Sequence, residues 1–73
     1  MKEKIKEIIG EILELNANEI NEEANILDDL GADSIAVMEI VMELESEYNL
    51  EIETEDIPKF KTVNDIVTYI ENK

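Results

Sequence analysis

The sequence predicts an all-α fold, a small bundle of three main helices plus one short helix, formed by one domain over residues 1–73. Apolar residues recur at three- and four-residue intervals in three separate stretches, which is the helical period. Convincing period-two alternation is confined to residues 50–54. Because charges occupy every second position there, we expect a solvated linker rather than a strand. The hydrophobic content of 44% in regular spacing also argues against disorder.

The first predicted helix runs from Lys2 to about Leu15, and Asn16 and Asn18 are its expected terminators. Residues 16–33 contain acids, asparagines and Gly31, and are predicted to form a long loop with at most one helical turn. Loops of this length in small domains are usually functional. Four apolar side chains are expected to pin the loop to the core: Ile20, Ile26, Leu27 and Leu30.

The second predicted helix, from Ser34 to about Tyr48, has two apolar faces. The first is the expected core face, with Val37, Ile40, Val41, Leu44 and Tyr48. Roughly 100–160° away on the same helical wheel lie Ile35, Met38 and Met42, with Glu39 and Glu45 beside them. We call Ile35, Met38 and Met42 the second apolar stripe. One interpretation is that this stripe packs under the loop or against the short helix. The other is that it is exposed and docks partner proteins, a role that flexible methionines suit.

Two further helices complete the prediction. Thr54 to about Lys59 is expected to form the short helix, with Thr54 as its N-cap. The last helix runs from Val63 to about Asn72. Thr62, just before this helix, and Asp65, in its first turn, resemble a capping box.

Ser34 is the most informative residue, because it lies where the loop turns into the second helix. One interpretation is structural: Asp33 or Ser34 caps the helix. The other is functional: a phosphate carried on the Ser34 hydroxyl would lie beside free backbone N–H groups and the positive end of the helix dipole.

The composition excludes several functions. The net charge of −14 repels nucleic acid and anionic membranes, attracts proteins with basic patches, and favours a monomer. The chain has no cysteine and no histidine, so it has no disulfide, no thiolate metal site and no serine–histidine catalysis. Since no pocket is specified that could raise the pKa of a carboxylate, we do not expect an enzyme.

Neither a metal site nor a membrane segment is expected. The spacing of Asp28, Asp29 and Asp33 does not fit an EF-hand loop. A second acidic cluster is expected to attract cations only nonspecifically: Glu51, Glu53, Glu55 and Asp56. With no membrane-spanning run and no signal peptide, the expected location is cytoplasmic.

The motif around Ser34 resembles the attachment motif of acyl carrier proteins, of the discrete type used in bacterial fatty-acid synthesis. The segment from Asp28 to Ile35 reads Asp-Asp-Leu-Gly-Ala-Asp-Ser-Ile. Residues 37–45 resemble the family's second helix and residues 57–70 its last two, so the resemblance covers about Ile5 to Ile70. Two positions depart from the pattern: Ile35 replaces a leucine, and Ala36 stands where fatty-acid carriers often have an acid.

The resemblance implies that a phosphopantetheinyl transferase (holo-carrier synthase) attaches 4′-phosphopantetheine to Ser34, with Asp33 as part of the motif. The arm's thiol then carries acyl groups as thioesters, and the space between the second and third helices shelters the acyl chain, with Val41, Leu44, Ile57 and Phe60 as candidate lining. The implied partners are acyltransferase, ketosynthase, reductase and dehydratase enzymes with basic patches. The predicted partner-binding residues are Ile35, Met38, Glu39, Met42, Glu43 and Glu45.

Two alternatives stay open at this stage. One is a stand-alone carrier with polyketide, aminoacyl or D-alanyl cargo. The other, from a different class, is an acidic helical adaptor without a prosthetic group, in which Ser34 is only a cap.

Overall fold

The computed structural model describes residues 1–72 and confirms the predicted all-α class. Its three α-helices are α1 (Lys2–Leu13), α2 (Ser34–Tyr48) and α3 (Val63–Glu71). Two 3₁₀ segments join them, Ala17–Glu19 before α2 and Thr54–Lys59 after it. No strand occurs in this part of the chain, and residues 50–53 form an irregular linker as expected.

α1 ends two residues earlier than predicted, because Glu14 adopts the left-handed conformation with φ of 59°. The N–H groups of Glu14 and Leu15 both donate to the Gly10 carbonyl, which closes the helix. Asn16 therefore does not terminate α1. Its side chain instead caps the following 3₁₀ turn by accepting a hydrogen bond from the Asn18 N–H at 2.9 Å.

The loop before α2 is pinned to the core by Ile20 and Ile26, which are buried, while Leu30 is half-buried. The prediction for Leu27 was wrong, since half of this side chain is exposed. Asn25 explains the difference: its Oδ1 accepts hydrogen bonds from the N–H groups of Leu27 and Asp28. This turn directs Ile26 inward and leaves Leu27 on the surface.

The core lies where the three helices meet. Its most buried side chains come from every helix: Ile5, Ile9, Leu44, Val63 and Ile66. On the predicted core face of α2, Ile40, Val41 and Leu44 are buried, whereas Val37 and Tyr48 are half-buried. One face of α2 therefore packs against the bundle, which leaves the opposite face without a packing partner in the fold.

The residue at the N-cap position of the 3₁₀ segment Thr54–Lys59 is Glu53, not the predicted Thr54. The Glu53 side chain makes no capping hydrogen bond. Its position is set from α3. The Tyr69 hydroxyl donates to Asp56 Oδ2 at 2.9 Å, and the Tyr69 ring meets Phe60 edge-on with ring centroids 5.0 Å apart. α3 itself starts with the predicted capping box between Thr62 and Asp65.

Candidate functional site

Asp33, and not Ser34, caps α2. The Asp33 Oδ1 accepts a hydrogen bond from the Ala36 N–H at 2.8 Å, and the Asp33 backbone is extended as an N-cap requires. Ser34 is consequently the first residue inside the helix. Its side chain is exposed, and among residues 1–72 its hydroxyl has no hydrogen-bond partner. Of the two capping residues that the sequence offered, Asp33 is confirmed and Ser34 is wrong.

The start of α2 presents backbone N–H groups beside the Ser34 hydroxyl, while Asp33 and Asp28 add negative charge to the same surroundings. The first intrahelical bond of α2 runs from the Val37 N–H to the Asp33 carbonyl, so the N–H groups of Ser34 and Ile35 precede it. These groups and the helix dipole place partial positive charge at the start of α2. The site can thus hold a phosphate esterified to Ser34.

The loop approaches Ser34 through two constrained residues. Gly31 has a φ of 77°, which lies in the left-handed region and favours glycine. Ala32 is buried, and its N–H donates to the Ile26 carbonyl at 3.1 Å. These two residues turn the chain and anchor it just before Asp33.

A cleft opens beside Ser34 with a volume of about 480 Å³. It lies between the loop, the start of α2 and the 3₁₀ segment, and is lined by Asn25, Leu27, Asp28, Ser34, Val37, Met38, Ile57, Pro58, Phe60 and Lys61. Two of the four side chains predicted to line a shelter, Ile57 and Phe60, border this cleft. The other two, Val41 and Leu44, do not border it, and their side chains are buried in the core.

Sequence reasoning missed Leu27, Val37 and Pro58 as cleft residues. Val37 sits on the predicted core face and Leu27 was expected to be buried, so periodicity alone assigns both to the interior. Asn25 was the signal that could have placed Leu27 outside, since an asparagine side chain can bond the backbone N–H two residues later and so start a turn.

The second apolar stripe of α2 is exposed. Ile35 is 70% exposed, Met42 57% and Met38 46%. The interpretation that this stripe packs under the loop or the short helix is therefore wrong, although Met38 borders the cleft. An exposed apolar stripe on a small acidic protein is a typical feature of an interaction surface.

The three acids predicted to bind partners have different surroundings. Glu39 and Glu43 are exposed. Glu45 is half-buried, and its Oε2 accepts a hydrogen bond from the Ile52 N–H at 2.9 Å. Glu45 therefore holds the linker after α2, a structural role that helical spacing did not predict.

Residues 1–72 contain neither a metal-binding cluster nor a membrane-spanning helix. No group of three or more carboxylate side chains is placed to hold a metal ion. In the same part of the chain, no helix has the length and apolar character to cross a bilayer.

The residues present fit a phosphopantetheine group. Ser34 offers an exposed, unbonded oxygen for a phosphoester, the start of α2 offers N–H groups to the phosphate, and the cleft offers an apolar wall. Lys61, which lines the same cleft, adds a positive charge.

Comparison with known proteins points to the same prosthetic group. Residues 3–70 match the family model described as the phosphopantetheine attachment site. An acyl carrier protein of Clostridium perfringens is 50% identical over 70 residues, 96% of this chain and 92% of its own. The acyl carrier protein of Thermotoga maritima is 46% identical, over 96% and 86% of the two chains.

A solved structure supports the same conclusion. The acyl carrier protein of Enterococcus faecalis superposes with a TM-score of 0.81 at 44% identity, over 97% of this chain and 90% of that one. With matching sequence, matching fold and a phosphopantetheine attachment domain across nearly its whole length, this chain belongs to the acyl carrier protein family.

Proposed function

We propose that Ser34 is the residue to which 4′-phosphopantetheine is attached, and that residues 1–73 act as a single carrier domain for acyl intermediates of fatty-acid synthesis. The observation that supports this most directly is the division of roles at the start of α2. Because Asp33 supplies the cap, the Ser34 hydroxyl is exposed and has no competing bond within the described chain.

The attachment reaction uses one atom of this chain. The Ser34 oxygen forms a new bond to phosphorus of coenzyme A, the pyrophosphate bond breaks, adenosine 3′,5′-bisphosphate leaves, and the hydroxyl proton passes to the transferase. The N–H groups at the start of α2 would then be available to the phosphodiester, and Lys61 lies at the wall of the adjacent cleft.

The bound group supplies a thiol that forms thioesters with acyl chains, which the chain itself cannot supply because it has no cysteine. The cleft has apolar side chains, among them Leu27, Met38 and Ile57, that an acyl chain on this thiol could contact. We infer that the protein performs no chemistry of its own and presents the tethered acyl group at high effective concentration.

The partners we propose are the phosphopantetheinyl transferase and the acyltransferase, ketosynthase, reductase and dehydratase enzymes of the pathway, all acting in the cytoplasm. Docking would use the second apolar stripe with Glu39, Glu43 and Glu45. Glu39 and Glu43 are the more direct candidates, because their side chains are exposed while Glu45 bonds the linker. The charge of −14 would raise the rate of encounter with basic surfaces.

The test is intact mass after incubation with coenzyme A, magnesium and a promiscuous phosphopantetheinyl transferase. The chain contains one other serine, Ser46, which is also exposed on α2, so Ser46→Ala is a matched control for Ser34→Ala. We expect the parent and Ser46→Ala to gain one phosphopantetheine moiety and Ser34→Ala to gain none.

Two outcomes would contradict the proposal. A gain on Ser34→Ala would move the attachment to another residue. The absence of a gain on a folded parent would remove the carrier role and leave the acidic adaptor. If the group is attached, loading by a malonyl transferase supports fatty-acid cargo, whereas loading only by an aminoacyl- or D-alanyl-activating enzyme supports the alternative cargo.

A further inference from the structure

The cleft beside Ser34 has one positively charged side chain, Lys61, among the lining residues named above. Its one negatively charged lining side chain is Asp28. Asp33 adds a second carboxylate next to Ser34, where it accepts the hydrogen bond of the Ala36 N–H. A phosphodiester on Ser34 would bring a further negative charge to a chain whose net charge is already −14, so a nearby cation would stabilise it.

Lys61 differs from the other lysines in the described part of the chain. Each of those forms an ion pair with a carboxylate: Lys2 and Lys6 with Glu22, Lys4 with Glu47, and Lys59 with Asp56. Within residues 1–72 no ion pair joins the Lys61 ammonium to a carboxylate, although Asp28 lines the same cleft. The charge of Lys61 is therefore available to an anion that enters the cleft.

The backbone of Lys61 is fixed on both sides of its side chain. Its carbonyl accepts a hydrogen bond from the Ile26 N–H at 2.8 Å, which ties it to the loop before α2. Its N–H donates to the Lys59 carbonyl at 3.0 Å and to Asp65 Oδ2 at 3.2 Å. Lys61 therefore extends from a fixed point on the cleft wall, with a flexible four-carbon stem that lets the ammonium adjust to an anion.

We propose that Lys61 is a binding residue for the prosthetic arm, and that its ammonium pairs with the phosphodiester that joins 4′-phosphopantetheine to Ser34. Lysine binds phosphate as a point charge with three donors, so the contact does not require one fixed geometry. A phosphate paired with Lys61 keeps the first part of the arm beside the cleft. The inference rests on the proposed function and adds to it a partner for the phosphate within this chain.

The start of α2 offers backbone N–H groups to the same phosphate. These groups belong to the main chain, so they remain in place in every side-chain variant of Lys61. The hydrogen bonds that fix the Lys61 backbone also do not involve its side chain. A substitution at Lys61 therefore measures the contribution of its charge by itself.

The experiment compares phosphorus NMR spectra of holo proteins, after intact mass has shown that the arm is attached. Lys61→Gln is the test variant, because it removes the charge and keeps much of the stem. Lys59→Gln is its matched control, since Lys59 is also exposed, changes the net charge equally and borders a different groove. Lys61→Arg keeps the charge. The Cε–Hε signals of Lys61 and Lys59 are also recorded in apo and holo parent.

We expect Lys61→Gln to shift the phosphorus signal, Lys61→Arg to return it towards the parent, and Lys59→Gln to leave it unchanged. Attachment of the arm should shift the Cε–Hε signals of Lys61 and not those of Lys59. An exposed charge pair is favoured over its separated form by about 1.4- to fivefold, so these shifts should report a partial population. In about 1 M salt, where the Debye length is about 3 Å, the parent signal should approach that of Lys61→Gln.

An unchanged phosphorus signal in Lys61→Gln overturns the inference, and so do equal shifts in Lys61→Gln and Lys59→Gln, which would indicate only a change in overall charge. A shift that Lys61→Arg does not reverse, with altered amide signals already in the apo variant, also overturns it, because Lys61 would then act on the loop and not on the phosphate. The mass spectrum separates this result from the proposed function. A holo parent in which Lys61 is silent retains the carrier role, whereas a folded parent that gains no arm removes the carrier role and this inference together.

Discussion

The Glu45 carboxylate on α2 accepts a hydrogen bond from the backbone N–H of Ile52, seven residues later, at 2.9 Å. This bond joins the end of α2 to the linker that leads into the 3₁₀ segment. Ile52 is buried, so its N–H has little access to water. Glu45 therefore satisfies a backbone donor that the core would otherwise leave without a partner.

We expect Glu45→Ala to lower the free energy of unfolding by about 1–3 kcal/mol, because it leaves the Ile52 N–H unpaired. Urea denaturation measures this, with Glu43→Ala as the control since Glu43 is exposed on the same helix. Equal midpoints for the two variants would show that water replaces the bond without cost.

Asp33→Ala should destabilise the fold by about 1 kcal/mol through loss of the N-cap of α2. Ser34→Ala, one residue further on, should change stability by less than about 0.5 kcal/mol, because the Ser34 hydroxyl caps nothing. The two midpoints in urea are compared directly. A larger loss for Ser34→Ala than for Asp33→Ala would contradict the assignment of the cap.

Gly10→Ala should destabilise the protein although alanine is the better helix former. A Cβ at Gly10 would lie 2.6 Å from the Leu15 carbonyl oxygen, and this backbone atom cannot rotate away. Such overpacking costs about 1–3 kcal/mol, against a gain of about 1 kcal/mol in helix propensity. Thermal unfolding checks this, with Ser46→Ala as an exposed control that should be neutral or slightly stabilising. A higher midpoint for Gly10→Ala would show that the chain at Leu15 moves freely.

Glu22 should contribute stability that depends on pH. A hydrogen bond from Lys2, together with the charges of Lys2 and Lys6, lowers the pKa of Glu22 below its ordinary value of 4.5. Because the pKa is lower in the folded state than in the unfolded state, the contribution is fully present above about pH 4.5 and is lost as the pH falls through the lowered value.

The check compares urea midpoints of the parent and Glu22→Gln at neutral and acidic pH. The parent should be the more stable at neutral pH, and the difference should vanish on acidification and shrink in high salt. Glu23→Gln, next to it and exposed, serves as control. A difference that persists at acidic pH would mean that Glu22 acts through packing rather than charge.

The sequence was sufficient for the helices because their apolar periodicity is the same property that the core selects. α2 was predicted with both of its ends, and the capping box of α3 was predicted from Thr62 and Asp65. The errors occur where a local hydrogen bond decides the outcome. Glu14 closes α1 in a conformation that no apolar pattern indicates, and the Asn25 turn exposes Leu27 against its hydrophobicity.

Only part of the candidate site could be predicted, because periodicity locates helix ends but not contacts between distant segments. The position of Ser34 follows from where α2 begins, which periodicity locates. The cleft beside it is formed by three segments that are separate in sequence, so a local pattern such as the Asn25 turn could indicate one lining residue but not the whole lining. The role of Glu45 likewise depends on where the linker returns, which the fold sets and the helical wheel does not show.

Two adjacent residues at the start of α2 divide helix capping and chemical availability between them. The atom that starts the helix belongs to Asp33, and the atom available for reaction belongs to Ser34. The Ser34 hydroxyl is therefore not used in starting α2 and stays exposed in the folded chain. We therefore expect mutations at these two adjacent positions to separate helix capping, which Asp33 provides, from the attachment that we propose at Ser34.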